Sequence, residues 1–153
     1  MRILVFSDSH GRVGPMQELM ERYVPDAVFH LGDVVRDGER LAELYPRTPF
    51  YRVAGNCDWN SGALEPENVA FLEGKTILYM HGHTQGVKTG VGLAVKAAQA
   101  VRADLLLFGH THRKFCEDYD GLLAVNPGAA QDGCAALLTW EEGGEITCTP
   151  LSV

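Results

Sequence analysis

The sequence predicts an α/β protein in which two sheets pack against each other and helices cover the outside. In the first part of the chain, short apolar runs typical of buried strands alternate with segments of helical spacing, which favours a sheet of parallel character. The second half is rich in strands and turn signals instead. The chain has 153 residues, of which 46% are hydrophobic, and this fits one compact domain over 1–153.

The first half predicts a β-α-β-α-β order. An unbroken apolar run marks each strand. The first helix has apolar residues at helical spacing and Pro15 in its first turn, and the second stops before Pro46. Strands are expected at 3–6, 27–31 and 50–54, and helices at 15–23 and 39–44.

The second half predicts one Ala-rich helix at 92–102, one buried strand at 104–108 and three strand pairs. The pairs are joined at Glu73-Gly74, Asp120-Gly121 and Gly143-Gly144, and the last two are strong hairpin signals. The paired strands are expected at 68–72, 76–80, 115–119, 122–125, 135–140 and 145–150.

The bulk properties exclude several classes of protein. A formal net charge of -7 argues against general nucleic-acid binding, which needs a basic surface. The four cysteines form no CxxC motif, which favours reduced thiols in the cytoplasm. The apolar run at the start is too short for a signal peptide or a membrane span. We therefore expect a cytoplasmic protein with no membrane association; the sequence leaves a homo-oligomer open.

Polar side chains follow five predicted strands at the point where each strand ends. Ligand sites in open α/β sheets lie beyond the carboxyl ends of the strands, so these side chains should converge. The spacing Asp8-x-His10, repeated in His110-x-His112, places two side chains on one side of an extended segment. The full set is Asp8, His10, Asp33, Asn56, Cys57, Asp58, His81, His83, His110 and His112.

The residue types of this set indicate a metal site. Carboxylates, imidazoles and one amide suit Mn, Fe, Zn, Co or Ni. A single Gly-Asp or Gly-His turn is usually only a turn, and a single histidine is usually structural. Five such turns in order, each after a predicted strand, favour the functional interpretation. Glycines at 11, 32, 55, 82 and 109 allow sharp turns and leave room for ions and phosphate.

These motifs resemble those of the calcineurin-like metallophosphoesterase superfamily. The compact length and the sequence Gly55-Asn56-Cys57-Asp58 resemble its small single-domain phosphodiesterases, and Asn126-Pro127-Gly128 is similar to a later family motif. The resemblance implies a four-layer αββα sandwich of two mixed sheets flanked by helices. It also implies two divalent metal ions, with manganese favoured, one held by Asp8, His10, Asp33 and His112 and the other by Asp33, Asn56, His81 and His110.

The resemblance implies hydrolysis of a small phosphodiester. A hydroxide that bridges two metal ions would attack phosphorus, while the metals and the Asn56 amide hold the phosphoryl oxygens. One position departs from the family pattern: many members have histidine, thought to protonate the leaving group, where this chain has Cys57. Cys57 and His83 are the candidates for that acid, and Asp58 would orient or tune the site.

Two other functions stay open at this stage. The same fold occurs in a retromer scaffold subunit that binds proteins without catalysis, and a phosphomonoesterase is a weaker alternative.

Several weaker signals favour structural interpretations. His30 is expected to be buried and satisfied or to support the ligands. Trp59 is expected to pack as an ordinary aromatic, and lining the pocket is the alternative. Arg12 and Lys88 fit solvated surface charge better than phosphate contacts. Gly90-Val91-Gly92 is a weak dinucleotide signal, because Val95 replaces the third glycine.

Overall fold

A computed structural model describes residues 1–59 and 64–153 and contains ten strands and three α-helices within them. A short 3₁₀ turn at Ala130–Asp132 completes the regular structure. In chain order the elements are β1 (Arg2–Phe6), α1 (Gly14–Tyr23), β2 (Ala27–His30), α2 (Val35–Leu44), β3 (Phe50–Arg52), β4 (Glu67–Leu72), β5 (Lys75–Met80), α3 (Gly92–Ala100), β6 (Leu105–Leu107), β7 (Lys114–Tyr119), β8 (Leu122–Pro127), β9 (Cys134–Thr139) and β10 (Thr147–Ser152).

The strands form two five-stranded mixed sheets. The first has the order β10-β9-β1-β2-β3, in which β1, β2 and β3 are parallel and β9 is antiparallel to both of its neighbours. The second has the order β4-β5-β6-β8-β7, with a parallel centre and antiparallel edge strands. Both sheets are therefore mixed, as the resemblance implies.

Alternation along β1 shows how the layers stack. Ile3 and Val5 lie in the core between the two sheets, whereas Leu4 and Phe6 pack in a second core with residues of α1 and α2. A third core joins α3 to the outer face of the second sheet. Successive side chains of a strand point to opposite faces, and a sheet covered on both faces has apolar residues on both. The four-layer αββα sandwich is confirmed.

Each predicted strand and helix is present, and the largest shift of an end is at α2, which begins at Val35 rather than residue 39. Two features make this start hard to predict from the sequence. Gly38 is a poor helix former, yet glycine fits this position because a Cβ there would lie only 3.2 Å from Cγ of His30. The first turn is also capped from a distant loop, because Val35 N donates to Asp58 Oδ1 at 2.9 Å.

Two expectations about the whole chain concern cysteines and membranes. All four cysteines are free thiols. Among the residues described, no helix combines the length and the hydropathy needed to cross a membrane.

Candidate metal centre

The seven candidate ligands, which are far apart in the sequence, come together beyond the carboxyl ends of the strands. Their ligand atoms form two groups, Asp8 with His10 and His112, and Asp33 with His81 and His110; within each group the atoms lie within 4.8 Å of one another. The seventh, Asn56, joins the second group because its Oδ1 lies 3.0 Å from Nε2 of His81. The predicted convergence is confirmed.

The carboxylate of Asp33 faces both groups, with one oxygen directed to each. Oδ2 of Asp33 lies 3.7 Å from Nε2 of His10, and its Oδ1 lies 3.5 Å from Nε2 of His81. Oδ1 also accepts a hydrogen bond from Cys57 N at 3.0 Å, which fixes the orientation of the carboxylate. Asp33 is thus oriented to serve the two groups together.

The surroundings of Asp8 fit a cation. Its Oδ2 accepts hydrogen bonds from Ser7 Oγ at 2.5 Å and from His110 N at 3.0 Å. Its Oδ1 is buried and has no hydrogen-bond donor among the described residues, although Nε2 of His112 lies 3.2 Å away. A buried carboxylate oxygen without a donor is costly. A metal ion bound there would remove that cost.

His81 is oriented as metal-ligating histidines usually are. It is fully buried, and its Nδ1 lies 2.7 Å from the carbonyl oxygen of Leu31, which can only accept. Nδ1 therefore carries the proton, and the lone pair of Nε2 points at Asn56 Oδ1 and at Nδ1 of His110, 3.1 Å away. This arrangement of a backbone carbonyl behind a ligand nitrogen fixes the tautomer that binds metals.

The backbone at the ligands is strained. Five of them have positive φ, a region that residues other than glycine rarely adopt. Such conformations cost about 1–3 kcal/mol each and concentrate at functional sites. The five values are 55° for Asp8, 44° for His10, 56° for Asp33, 71° for His110 and 61° for His112. The concentration of strain at these residues is an independent sign that the loops are shaped for placing ligands.

Two of the glycines in the motifs are needed for close contact. A Cβ at Gly55 would lie 2.2 Å from Oδ1 of Asp33, and one at Gly109 would lie 2.0 Å from Oγ of Ser7. Both distances are far below van der Waals contact. These two glycines therefore let the ligand-bearing loops approach each other closely, while the expectation that they leave room for ions and phosphate stays a prediction.

A buried polar network supports the loop that carries Asp8 and His10. Gly32 N donates to Nδ1 of His30 at 3.3 Å, and Nε2 of His30 lies 3.0 Å from Oγ of Ser9. Ser9 and the backbone N–H of Gly11 both donate to Oδ2 of Asp37, each at 2.7 Å. His30 is therefore buried and satisfied, as expected. Burial lowers the pKa of His30 to about 4, so it is neutral in this network.

Asn126 supports the loop that carries His110 and His112. Its Nδ2 donates to the carbonyl oxygen of Gly109 at 3.1 Å and to Thr111 Oγ1 at 3.0 Å, while its Oδ1 accepts from Gly128 N at 2.9 Å. These contacts give a physical role to the Asn126-Pro127-Gly128 motif.

Gln131 stands behind His112 and was not singled out from the sequence. Its side-chain amide lies 3.3 Å from Nδ1 of His112. Arg12 donates to the carbonyl oxygen of Gln131, so its guanidinium is engaged with the backbone rather than free.

The proposed catalytic side chains lie at the rim of the second group. Cys57 is largely exposed. The pKa of its thiol is raised, first by the loss of some of its solvation and second by the negative charge of Asp33. The ring of His83 is 5.4 Å from that of His81, and burial, followed by His81, lowers its pKa. Asp58 is different, since its carboxylate accepts from Val35 N and from Gly55 N at 2.8 Å. Asp58 thus orients the loop of Gly55 to Asp58.

Trp59 departs from its expected packing. Its side chain is 89% exposed, so the prediction of ordinary aromatic packing is wrong. It lines an open groove of about 580 Å³ together with Val34 and Cys57. No feature of the local sequence distinguishes an exposed tryptophan from a buried one.

Comparison with known proteins agrees with this geometry. The chain belongs to the calcineurin-like phosphoesterase superfamily, because the model of that domain matches residues 1–142. It is similar to the probable metallophosphoesterase YsnB of Bacillus subtilis, with 33% identity over 84% of this chain and 75% of that protein. It is also similar to the phosphodiesterase MJ0936 of Methanocaldococcus jannaschii, with 26% identity over 91% of this chain and 87% of that one.

The fold is shared more widely. Wild-type Vps29 of Entamoeba histolytica, solved in complex with zinc, superposes with a TM-score of 0.77 and 20% identity, over 99% of each chain. At this identity the likeness concerns the fold. The family match and the names of these relatives place the chain in a metallophosphoesterase family, and the two groups of ligand atoms are its candidate metal sites.

Proposed function

We propose that this protein is a dinuclear metal-dependent phosphodiesterase, with manganese as the favoured metal. The single observation that carries the proposal is the orientation of Asp33, whose two carboxylate oxygens face the two ligand groups. A carboxylate in this position is suited to bridge two cations and to offset part of their mutual repulsion. The name of the relative MJ0936 supports diester hydrolysis.

The candidate ligands would form two sets, one for each ion. Asp8, His10 and His112 would hold one ion, and Asn56, His81 and His110 would hold the other, with Asp33 shared. Two divalent ions held by these residues would activate a water molecule as the nucleophile and would stabilise negative charge on the phosphoryl oxygens. The buried acceptor Oδ1 of Asp8 and the fixed tautomer of His81 preorganise this site before any ion arrives.

Substrate would reach the centre from the side of its exposed residues. His10, Asn56 and His112 are exposed, whereas Asp8, Asp33 and His81 are buried. The Nδ2 group of Asn56 can donate a hydrogen bond to a phosphoryl oxygen while Oδ1 serves the metal site, which adds to the stabilisation of developing charge.

The candidate proton donors for the leaving group are the Cys57 thiol and the His83 ring. The raised pKa of Cys57 keeps its thiol protonated at neutral pH, so it has a proton to give but gives it reluctantly. The lowered pKa of His83 keeps that ring neutral. We infer that departure of the leaving group relies little on protonation.

The scaffold alternative rests on the likeness of the fold to that of Vps29, and monoester hydrolysis is the other candidate. Manganese-loaded protein should be assayed with bis(4-nitrophenyl) phosphate and 4-nitrophenyl phosphate in parallel. We expect faster turnover of the diester, abolished by a chelator. Faster turnover of the monoester would make the protein a monoesterase, and no turnover of either would favour the scaffold.

A further inference from the structure

A groove of about 630 Å³ lies beside the candidate metal centre. We call it the cationic groove and define it by Lys88, Val91, Thr111, Arg113 and Phe115, which line it together with neighbouring residues. Its volume is within the range of about 300–1,000 Å³ that is typical of small-molecule sites. The groove is therefore large enough for a substituent of a substrate.

The cationic groove adjoins the loop that carries two of the candidate ligands. Thr111, in its wall, stands between the candidate ligands His110 and His112. A molecule whose phosphate lies at the metal centre can thus extend into the groove.

Positive charge dominates the groove, although the whole chain carries a net charge of -7. Lys88, Arg113 and Lys114 line it, and among the described residues no carboxylate does. Lys114 is committed elsewhere, since its Nζ donates to Oγ of Ser152 at 2.6 Å. Lys88 and Arg113 remain for a ligand.

These two cations have no acidic partner in the parts of the chain that the structure describes. The ion pairs formed there by lysine or arginine are Arg22–Glu18 and Arg52–Glu39. The two unpaired cations add positive charge beside a centre suited to divalent ions, and an anion bound near both would be attracted to them. The charge of the groove is what an anionic ligand requires.

We propose that the cationic groove binds a second phosphate group of the substrate, carried in addition to the phosphodiester that is hydrolysed. Lys88 and Arg113 would contact this second phosphate, while the partly exposed Phe115 and Val91 offer an apolar wall to a ring between the two phosphates. The inference rests on the proposed function and narrows its substrate class to phosphodiesters that bear a further phosphate, as in a nucleoside bisphosphate ester.

The test compares two chromogenic substrates that differ by one phosphate. These are the 4-nitrophenyl ester of thymidine 5′-phosphate and the same ester with an added 3′-phosphate. With manganese-loaded protein we expect the added phosphate to lower KM about tenfold, and higher ionic strength to reduce this advantage. Lys88→Ala and Arg113→Ala should each reduce it about threefold, and the double variant should remove it.

Lys96→Ala is the matched control, because Lys96 is an exposed lysine of α3 outside the groove. It should keep the full advantage of the added phosphate. Equal KM values for the two esters in the wild type, or an advantage that survives in the double variant, would overturn the proposal. Metal analysis and melting curves of each variant separate loss of the groove from loss of the centre or of the fold.

A binding measurement separates this proposal from the proposed function. Calorimetric titration of manganese-loaded protein should give about tenfold tighter binding of thymidine 3′,5′-bisphosphate than of thymidine 5′-phosphate, and the double variant should lose the difference. If the two thymidine phosphates bind with this difference but neither ester is hydrolysed, the phosphate site in the groove is upheld and the phosphodiesterase activity is rejected. Turnover of both esters without the difference would reject the groove alone.

Discussion

The Nε2 atom of His81 and the Oδ1 atom of Asn56 lie 3.0 Å apart, and when the His81 ring is neutral neither atom carries a hydrogen. The proton of His81 is on Nδ1, where it is donated to the carbonyl oxygen of Leu31. Two lone pairs that face each other at this distance repel unless a cation lies between them. Ligand atoms bound at about 2.1 Å to one ion are commonly about 3 Å apart, so the arrangement matches the edge of a coordination sphere.

The absence of histidine at position 57 predicts how the rate depends on the leaving group. Phosphodiesters with acidic aryl leaving groups should be hydrolysed far faster than those with alkyl groups, because an aryl oxide departs without a proton. A positioned general acid contributes about 10²–10⁴-fold, and its lack should give a steep dependence of rate on leaving-group pKa. The measurement is a series of diesters of graded leaving-group pKa.

Variants at two positions complete that series. A flat dependence in the wild type would show that an efficient acid is present. If Cys57→Ala then made it steep, the thiol would be the acid; if only His83→Ala did so, the role would belong to His83. Cys57→His should raise the rate on poor leaving groups if the ring fits beside Asn56.

His30 predicts a loss of stability in acid. Its pKa is about 4 in the folded protein and 6.5 when unperturbed. Between these values His30 is therefore protonated in the unfolded chain but neutral in the folded one. The stabilising difference is complete above pH 6.5 and is lost as the pH falls towards 4. Over that range His30 accounts for about 3 kcal/mol of the free energy of unfolding.

Urea unfolding of metal-free protein between about pH 7 and pH 5 measures this effect. His30→Gln should be less stable than the wild type near pH 7 but should lose less stability on acidification. Other titrating groups are common to both proteins and cancel in the difference. Parallel pH curves for the two proteins would show that His30 does not titrate in this way.

Gly109 predicts a local steric effect. In Gly109→Ala the new Cβ would overlap Ser7, which donates to Asp8, so the ligand loops must move apart. We expect destabilisation of about 1–3 kcal/mol from overpacking, together with weaker metal binding. Gly92→Ala is the control, since a Cβ there meets nothing within 4 Å. Equal melting temperatures and metal contents for the two variants would refute the steric account.

The sequence allowed the convergence of the candidate ligands to be predicted because their signal is local. Each candidate follows an apolar run that reads as a strand, and parallel strands bring their carboxyl ends to one edge. The chemistry of the residues then indicates metal binding without any knowledge of their contacts. His30 was placed correctly for the same reason, since a histidine within an apolar strand is usually buried.

Other features could not be predicted because they depend on contacts between distant segments. The network of Ser9 and Asp37 joins the first loop to α2, and the start of α2 is fixed by Asp58. The left-handed backbone of the ligands could not be predicted, because Asp and His adopt positive φ more often than most residues but their identity does not tell which of them do. The exposure of Trp59 could not be predicted, because the hydrophobic character of a side chain does not show whether it is buried.

Counting the metal ions bound by Asp33→Asn and by the wild type tests the central claim most directly. Asp33 faces both ligand groups, so we predict two ions per wild-type chain and at most one in Asp33→Asn, with turnover at least about 10²-fold lower. Asp120→Asn, in an exposed hairpin turn, should keep two ions. Fewer than two ions in the wild type, or two ions and near-normal turnover in Asp33→Asn, would contradict a bridged dinuclear centre.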